Sequence, residues 1–329
     1  PAFQSSTAYF AQQALWLCQI NLLKGSRNMK KVFSGIGNLP NGDASDIITE
    51  GCIVLEGGAF RGVYGEGVLD ALMEADINFR CTIGVSAGAL NGANYVSGQI
   101  GRSARINLRY RYDSRYVGLK ALRNNHGIIG FDFAFQTLAE SDPFHEKRFM
   151  DPSRQFIAVA ASCQTGKAVY FEKGKCHDIM QAIRASASMP YVSKPVMVDG
   201  IACLDGGCCC KIPYQWALDH SFQKIVVVKT QHPDFRKKTS QKKGRLTSLF
   251  YKDYPLFAAS LSQSAADYNR QCDEIERLQQ DGRLFVFAPS SPVTVGRLEK
   301  NMEKLGALYY LGYTDAKKQI PALKSYLEQ

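Results

Sequence analysis

A chain of 329 residues with 45% hydrophobic residues is large enough to bury an extended core without disulfide bridges. Together with 21% charged residues, this composition excludes a disordered chain, a coiled coil and a collagen-like fibre. The net charge of +10 is basic without being extreme, and no stretch approaches the ~18 consecutive apolar residues of a membrane-spanning helix.

The first 50 residues carry little structural signal. Residues 1–28 show no strong pattern, and Met29 followed by two lysines resembles a translation start. Residues 32–50 are rich in Gly, Asn, Asp and Ser, which is typical of a loop. We therefore predict that residues 1–50 form an N-terminal segment, partly non-native or flexible. No basic residue precedes the apolar run at 8–23, so we do not expect a secretory signal peptide.

From residue 51 onward, short apolar runs alternate with helical patterns. The predicted strands are Cys52–Leu55, Arg80–Ile83, Phe156–Ala161, Val169–Phe171, Ile225–Val228 and Leu284–Phe287. The predicted helices are one ending near Asp76, one running through Tyr95, and the segments Ile179–Ser186, Leu246–Arg277, Arg297–Leu311 and Asp315–Leu327. Strands that alternate with helices indicate an α/β fold, with a mostly parallel sheet covered by helices on both faces. We expect a central domain at 51–245 and a mainly helical extension at 246–329 that packs on it.

The sharpest local motif is G-x-S-x-G at Gly84, Ser86 and Gly88, between a predicted strand and a predicted helix. A nucleophilic serine needs a strained strand-to-helix turn that exposes its hydroxyl group, and flanking glycines relieve the crowding in such a turn. The following helix also directs its first amide groups toward an oxyanion. A tight structural turn would explain the same letters, but the strand and helix on either side favour a nucleophile.

A second glycine-rich turn, Gly57-Gly58-Ala59-Phe60-Arg61-Gly62, lies at the preceding strand-to-helix junction. Such a turn presents free backbone N–H groups, which suit a phosphate group or a developing oxyanion. A tight turn with packing glycines is the alternative. The dinucleotide fingerprint G-x-G-x-x-G is weakened because Ala59 stands where it requires glycine, although Gly57 and Gly62 are in register.

The third motif is Asp205-Gly206-Gly207, which alone is ordinary turn chemistry. Taken in order, the three motifs resemble the patatin-like phospholipase family, which has a glycine-rich oxyanion loop, then G-x-S-x-G, then D-G-G or D-G-A. The similarity runs from about Cys52 to Thr230 and includes the stretch Arg184-Ala-Ser-Ala-Ser-Met-Pro190. The remaining chain resembles the C-terminal extension of a bacterial subgroup of that family.

The resemblance implies a three-layer α/β/α sheet and serine hydrolysis of lipid acyl esters, most simply phospholipids or lysophospholipids, without metal or cofactor. It implies Ser86 as nucleophile and Asp205 as its proton acceptor. It further implies an oxyanion hole built by Gly57, Gly58 and Ala59, with Arg61 close by. Ala59 replaces the usual glycine of the family, so a left-handed backbone there would cost about 1 kcal/mol or more. Burial beside Ser86 would have to raise the pKa of Asp205, because an ordinary aspartate is a feeble base at neutral pH.

Three other functions remain open on the sequence. The order Ser86, Asp205, His232 is also that of an α/β-hydrolase triad, and His232 follows the predicted strand Ile225–Val228. The turn at 57–62 could serve a nucleotide-binding protein. A protein with the same fold could also bind lipid without cleaving it.

Two clusters of basic residues suggest peripheral contact with an anionic membrane surface. The first comprises Arg102, Arg105, Arg109, Arg111, Arg115, Lys120 and Arg123, and the second Arg236, Lys237, Lys238, Lys242, Lys243 and Arg245. A solvated basic face explains them equally well. We expect no nucleic-acid partner, because no recognised binding module accompanies the charge. Between the clusters, Tyr110, Tyr112, Tyr116, Phe131, Phe133 and Phe135 would form either a lid over an acyl pocket or simply core.

Ten cysteines, three of them consecutive at Cys208–Cys210, form no pair at zinc-ligand spacing. A chain with this much apolar core does not need a disulfide framework. We therefore predict buried, reduced thiols and a cytoplasmic protein, in contact at most with the inner face of the membrane.

Overall fold

The computed structural model describes residues 31–118, 121, 129–135, 138, 141–239 and 241–329. Of the predicted N-terminal segment at 1–50, residues 1–30 lie outside the described part. The strands are β1 Gly42–Asp43, β2 Thr49–Leu55, β3 Phe79–Val85, β4 Gln99–Ile100, β5 Gln155–Ser162, β6 Ala168–Glu172, β7 Val196–Val198, β8 Ile201–Asp205, β9 Ile225–Val228 and β10 Phe285–Phe287. The helices are α1 Val63–Glu74, α2 Ala87–Val96, α3 Arg102–Tyr110, α4 Phe131–Phe135, α5 Glu146–Phe149, α6 Ile179–Ser186, α7 Tyr214–Asp219, α8 Gln241–Phe250, α9 Pro255–Gln280 and α10 Met302–Glu328. Single 3₁₀ turns occur at Ile36–Asn38, Ala59–Gly62 and Gly206–Cys208.

The main sheet has eight strands in the order β10-β9-β2-β3-β5-β8-β7, with β6 paired to β5. Strands β10, β9, β2, β3 and β5 are parallel, whereas β6, β7 and β8 pair antiparallel. This confirms the predicted α/β fold with a mostly parallel sheet. The antiparallel part is what brings the end of β8 beside the end of β5, where Asp205 is paired with Ala160.

The core lies on both faces of the sheet, as the alternation of side chains along each strand requires. On β2, Ile53 and Leu55 contribute to one apolar cluster, and Cys52 and Val54 contribute to the other. The first cluster packs under α1, α2, α6 and α10, and the second packs under α7 and α9. The molecule is therefore a three-layer α/β/α sheet structure with a helical C-terminal region.

The C-terminal helices differ from the prediction in two respects. The predicted helix Leu246–Arg277 is in fact two helices, and the second, α9, begins at Pro255. Proline has no backbone N–H group to donate to the preceding turn, so α8 does not continue through it. The two predicted closing helices, Arg297–Leu311 and Asp315–Leu327, are instead the single helix α10. Gly312, within α10, lies where this helix crosses α1, and a Cβ atom on it would be 2.0 Å from the carbonyl oxygen of Tyr64.

Candidate active site

Ser86 occupies a strained turn between β3 and α2. Its backbone has φ 56° and ψ −121°, a region that few residues other than glycine adopt. A Cβ atom on Gly84 would lie 2.4 Å from the carbonyl oxygen of Gly88, and one on Gly88 would lie 2.4 Å from that of Leu55. The glycines of the motif are thus required by the close approach of strand, turn and helix.

A second serine holds this turn in place. The backbone N–H of Ser86 donates to Ser186 Oγ at 2.8 Å, and Ser186 Oγ donates to the carbonyl oxygen of Val159 at 2.6 Å. Ser186 belongs to the stretch Arg184-Ala-Ser-Ala-Ser-Met-Pro190 at the end of α6 and is fully buried. The stretch therefore positions the nucleophile turn, a role that the sequence did not assign to it.

Ser86 and Asp205 form a direct contact. Ser86 Oγ donates to Asp205 Oδ2 at 2.7 Å, and the backbone N–H of Gly207 donates to Asp205 Oδ1 at 2.8 Å. Asp205 comes at the end of β8, and each of the two side chains is only 7% exposed. Gly206 packs against the carbonyl oxygen of Val159, so the D-G-G turn lies directly on β5.

The environment of Asp205 raises its pKa above the ordinary value of an aspartate. Burial is the largest cause, because it disfavours the charged carboxylate. Hydrogen bonds from Ser86 and Gly207 and the positive charges of Lys211 and Arg297 act in the opposite direction. A buried carboxyl group with a raised pKa, in contact with a serine hydroxyl, is suited to accept that serine's proton.

The glycine-rich loop lies against Ser86. A Cβ atom on Gly57 would be 3.1 Å from Ser86 Cβ, and Ala59 lines the same cavity as Ser86. The N–H of Gly57 donates to the carbonyl oxygen of Lys211 at 3.3 Å, whereas those of Gly58 and Ala59 donate to no other residue that the structure describes. Ala59 has φ 50°, the left-handed backbone that the sequence indicated as a cost.

Three cationic side chains surround this loop. Arg61 Nε donates to the carbonyl oxygen of Gly58 at 3.4 Å, and the carbonyl oxygen of Arg297 accepts from the N–H of Phe60 at 3.2 Å. Lys211, the third cation, is only 9% exposed. Within the described ranges, none of the three forms a salt bridge with a carboxylate. Burial is the main reason that the pKa of nearby Lys237 falls to about 6; the charges of Lys211, Arg297 and Arg61 lower it further, and that of Glu56 opposes them.

A cavity opens beside Ser86 and runs along α2. Ala87, Leu90 and Asn94, on successive turns of that helix, line the cavity. The cavity therefore extends about 12 Å along the helix axis from Ser86 to Asn94. Apolar side chains form much of its wall, namely Phe60, Leu90, Ile106, Ile129, Phe131, Ala134 and Met189. Polar side chains also line it, namely Glu66, Asn91, Asn94, Arg102, Ser103, Asn107 and Tyr116. Of the six aromatic residues considered for a lid, Tyr116 and Phe131 line this cavity, and the side chain of Phe135 lies outside the described part.

The structure does not bring His232 to the Ser86–Asp205 pair. His232 Nδ1 lies 3.5 Å from Asp234 Oδ2 and accepts from the N–H of Asp234 at 3.3 Å. Ser86 Oγ contacts Asp205 directly, so a histidine between the two side chains, as in a triad, is not present in this arrangement.

The first basic cluster is largely structural and not a free charged face. Arg102 is 1% exposed and donates to Asn94 Oδ1 and to the carbonyl oxygen of Asp142. Arg105 pairs with the Asp142 carboxylate, and Arg111 donates to the carbonyl oxygens of Leu298 and Glu299. The members Lys120 and Arg123 lie outside the described residues. The expectation that this cluster faces a membrane is therefore wrong for Arg102 and Arg111, which are buried.

The second basic cluster is also partly neutralised. Arg236 pairs with Asp273 and Glu276, and Lys237 Nζ lies 3.7 Å from the centre of the Tyr268 ring. Lys238 is exposed, and the side chains of Lys242, Lys243 and Arg245 lie outside the described part. None of the helices that the structure describes is long and apolar enough to cross a bilayer.

The nine described cysteines are free thiols, and Cys208 within the consecutive triplet is buried. In the described ranges, no three His, Cys, Asp or Glu side chains converge as a metal site would require. Burial raises the pKa of Cys209 to about 12, so this thiol is protonated and unreactive at neutral pH.

A serine on a strained strand-to-helix turn of an α/β sheet is the arrangement that carries the nucleophile in the α/β serine hydrolases. The family model of patatin-like phospholipases matches residues 53–218, and the chain belongs to this family. This confirms the resemblance and supports lipid acyl hydrolysis in general terms. A second model, of a domain of unknown function (DUF6363), matches residues 254–328.

Two individual proteins are similar to the chain. The uncharacterized protein YjjU of Escherichia coli K12 is 29% identical over 183 residues, which is 54% of this chain and 51% of that protein. The chain thus matches about half the length of this relative. The crystal structure of VipD from Legionella pneumophila covers 93% of this chain and 72% of that one, with 13% identity and a TM-score of 0.48.

Proposed function

We propose that this protein is a serine lipid acyl hydrolase that uses Ser86 and Asp205 as a catalytic dyad. The observation that carries the proposal is the 2.7 Å contact between Ser86 Oγ and Asp205 Oδ2 at a strained turn beside a cavity. Membership of the patatin-like family supports the lipid ester as substrate class.

The geometry suggests the following steps. Ser86 Oγ attacks the ester carbonyl carbon while its proton passes to Asp205 Oδ2. The N–H groups of Gly58 and Ala59 stabilise the oxyanion, each good donor contributing about 3–4 kcal/mol. Asp205 then returns the proton to the leaving alcohol, which leaves an acyl group on Ser86. Water hydrolyses this ester by the same route, with Asp205 again accepting and returning the proton.

The cations around the loop favour a substrate with an anionic group near its ester. Arg61, Lys211 and Arg297 surround the loop that would hold the oxyanion, and Arg297 is exposed to solvent. A phosphate group placed beside the scissile ester, as in phospholipids and lysophospholipids, would meet these charges. Charge-assisted hydrogen bonds to phosphate are about twice as strong as neutral ones, so the cations would favour such lipids over neutral esters.

The test compares fatty acid release from lysophospholipid micelles with hydrolysis of a neutral p-nitrophenyl ester. We expect the wild type to cleave both, and the Ser86→Ala variant to cleave neither. Arg297→Gln should lower the ratio of lysophospholipid to neutral ester turnover about tenfold, as the loss of one charge-assisted bond implies. Arg297→Lys retains the charge and is the matched control. A folded wild type that releases no fatty acid from either substrate would refute the proposal.

A further inference from the structure

The cavity beside Ser86 contains two buried oxygens that lack hydrogen-bond partners among the described residues. They are Glu66 Oε2 and Ser103 Oγ, on side chains that are 2% and 9% exposed. Both residues line the cavity. A buried polar atom without a partner is destabilising because it has lost its hydrogen bonds to water, so a ligand atom that pairs with these oxygens would be bound preferentially.

The two oxygens belong to one wall of the cavity. Asn107 Nδ2 donates to Glu66 Oε1 at 2.6 Å, and Tyr116 Oη donates to Asn107 Oδ1 at 2.7 Å. Ser103 lies one turn before Asn107 on the same face of α3. The hydrogen bonds therefore fix the orientation of the Glu66 carboxyl group, and they leave Oε2 as its atom without a partner among the described residues.

The protonation state of Glu66 decides whether its Oε2 donates or accepts a hydrogen bond in the cavity. Burial, with a further contribution from the charge of Asp70, raises the pKa of Glu66 to about 8. The carboxyl group is then mainly neutral at pH 7. Because Oε1 already accepts from Asn107, the proton belongs on Oε2, which acts as a donor. Ser103 supplies a hydroxyl group that can accept.

We propose that this cavity selects acyl groups that carry a hydroxyl group on the chain. The hydroxyl oxygen of the acyl group accepts from Glu66, and its hydrogen is donated to Ser103 Oγ. A plain hydrocarbon chain leaves both protein oxygens unpaired, whereas a hydroxyl group, being donor and acceptor at once, pairs with both. This inference rests on the proposed function, since it places the ester carbonyl at Ser86 and the chain along α2.

The experiment uses p-nitrophenyl decanoate and its monohydroxy derivatives, with the hydroxyl on the β carbon, at mid-chain or at the terminal carbon. We expect the wild type to hydrolyse at least one derivative with a kcat/KM about tenfold above that of the plain ester, the ratio that one hydrogen bond of about 1.4 kcal/mol gives. The combined substitution Glu66→Leu and Ser103→Ala should abolish this preference. Glu66→Gln should retain it, because an amide N–H donates from the same position.

Two controls separate this inference from the proposed function. Ile106→Val alters the same cavity without changing either residue that carries an unpaired oxygen. It should therefore change kcat/KM for all the esters by a common factor. Binding of the same esters to the Ser86→Ala variant, which measures Kd without turnover, should show the same tenfold preference.

The inference is overturned if the wild type treats plain and hydroxylated esters alike, or if the preference survives the double substitution. In that case ester hydrolysis, and with it the proposed function, still stands. If no ester is hydrolysed, the proposed function fails, and the binding preference of the Ser86→Ala variant alone decides whether the cavity recognises a hydroxyl group.

Discussion

Asp205 is the residue whose environment most directly controls the proposed chemistry. Burial raises its pKa, and the charges of Lys211 and Arg297 hold that rise in check. Only the deprotonated carboxylate can accept the Ser86 proton, so activity should rise with pH as Asp205 ionises. The low-pH limb of the kcat/KM profile should therefore lie above that of an ordinary aspartate.

Replacing Lys211 tests this balance. Lys211→Met removes a cation that lowers the pKa of Asp205, so the low-pH limb should move to higher pH. Lys211→Arg keeps the charge and should leave the limb nearly in place. The measurement is kcat/KM for a neutral ester as a function of pH. A shift to lower pH in the Met variant would contradict the assignment of Asp205 as the base.

Glu66 should make the stability of the protein depend on pH. Its pKa is about 8 in the folded state and near the ordinary value of 4.5 when unfolded. Its contribution to stability is complete below the unfolded value and is lost as pH rises through 8. We expect the free energy of unfolding of the wild type to fall by a few kcal/mol between about pH 5 and about pH 9 relative to Glu66→Gln. Urea denaturation of both proteins at the two pH values measures this, and parallel pH dependences would refute it.

Sequence patterns singled out Ser86, Asp205 and the glycine-rich loop, which the structure brings into contact, but not the polar wall of the cavity. Ser86 and Asp205 lie in turns with recognisable sequence motifs, G-x-S-x-G and D-G-G. Glu66 and Ser103 look like ordinary polar positions of two amphipathic helices. Their burial depends on how α1 and α3 pack against each other, which no local pattern encodes.

At the scale of elements, the pairing of α1 with α10 is the contact that holds the last helix on the sheet domain. Tyr309 Oη donates to Asp70 Oδ2 at 2.7 Å, and Tyr64 Oη donates to Asp315 Oδ2 at 3.2 Å. Glycines let the two backbones approach, since a Cβ atom on Gly67 would be 2.1 Å from the carbonyl oxygen of Tyr309. The crossing is thus close and offers no room for a larger side chain.

A pair of glycines on α1 tests this crossing. Gly67→Ala must push α10 away and should lower the free energy of unfolding by ~1–3 kcal/mol. Gly65→Ala is the control, because its Cβ would meet nothing closer than 3.6 Å and alanine favours a helix by ~0.5–1 kcal/mol. Thermal and urea unfolding of the two variants should therefore change in opposite directions. Equal stabilities would contradict the close crossing.

The same crossing explains why the C-terminal helices were predicted incorrectly. The two predicted closing helices left residues 312–314 between them, yet Gly312 lies inside α10, where the backbone of α1 comes close to it. Pro255 is the opposite case. It is a helix-breaking residue within the segment predicted as one long helix, and α9 begins at it. A glycine that serves packing between helices and a glycine that ends a helix cannot be told apart by sequence alone.

At the scale of the whole molecule, the site combines parts that are distant in the chain. Ser86 follows β3, Asp205 ends β8, and the nearby cations are Arg61, Lys211 and Arg297. Alternating strands and helices were enough to predict the layered fold, because the hydrophobic pattern repeats with each element. The positive charge gathered beside the glycine-rich loop at 57–62 was not predictable, since it arises only when these three segments meet.

Intact mass spectrometry after incubation with a fluorophosphonate tests the central claim, that Ser86 is a nucleophile activated by Asp205. We expect the wild type to gain one adduct, Ser86→Ala to gain none, and the folded Asp205→Asn variant to react at least about 100-fold more slowly, as loss of a general base implies. An adduct that persists in Ser86→Ala, or a folded wild type that does not react at all, would contradict the account.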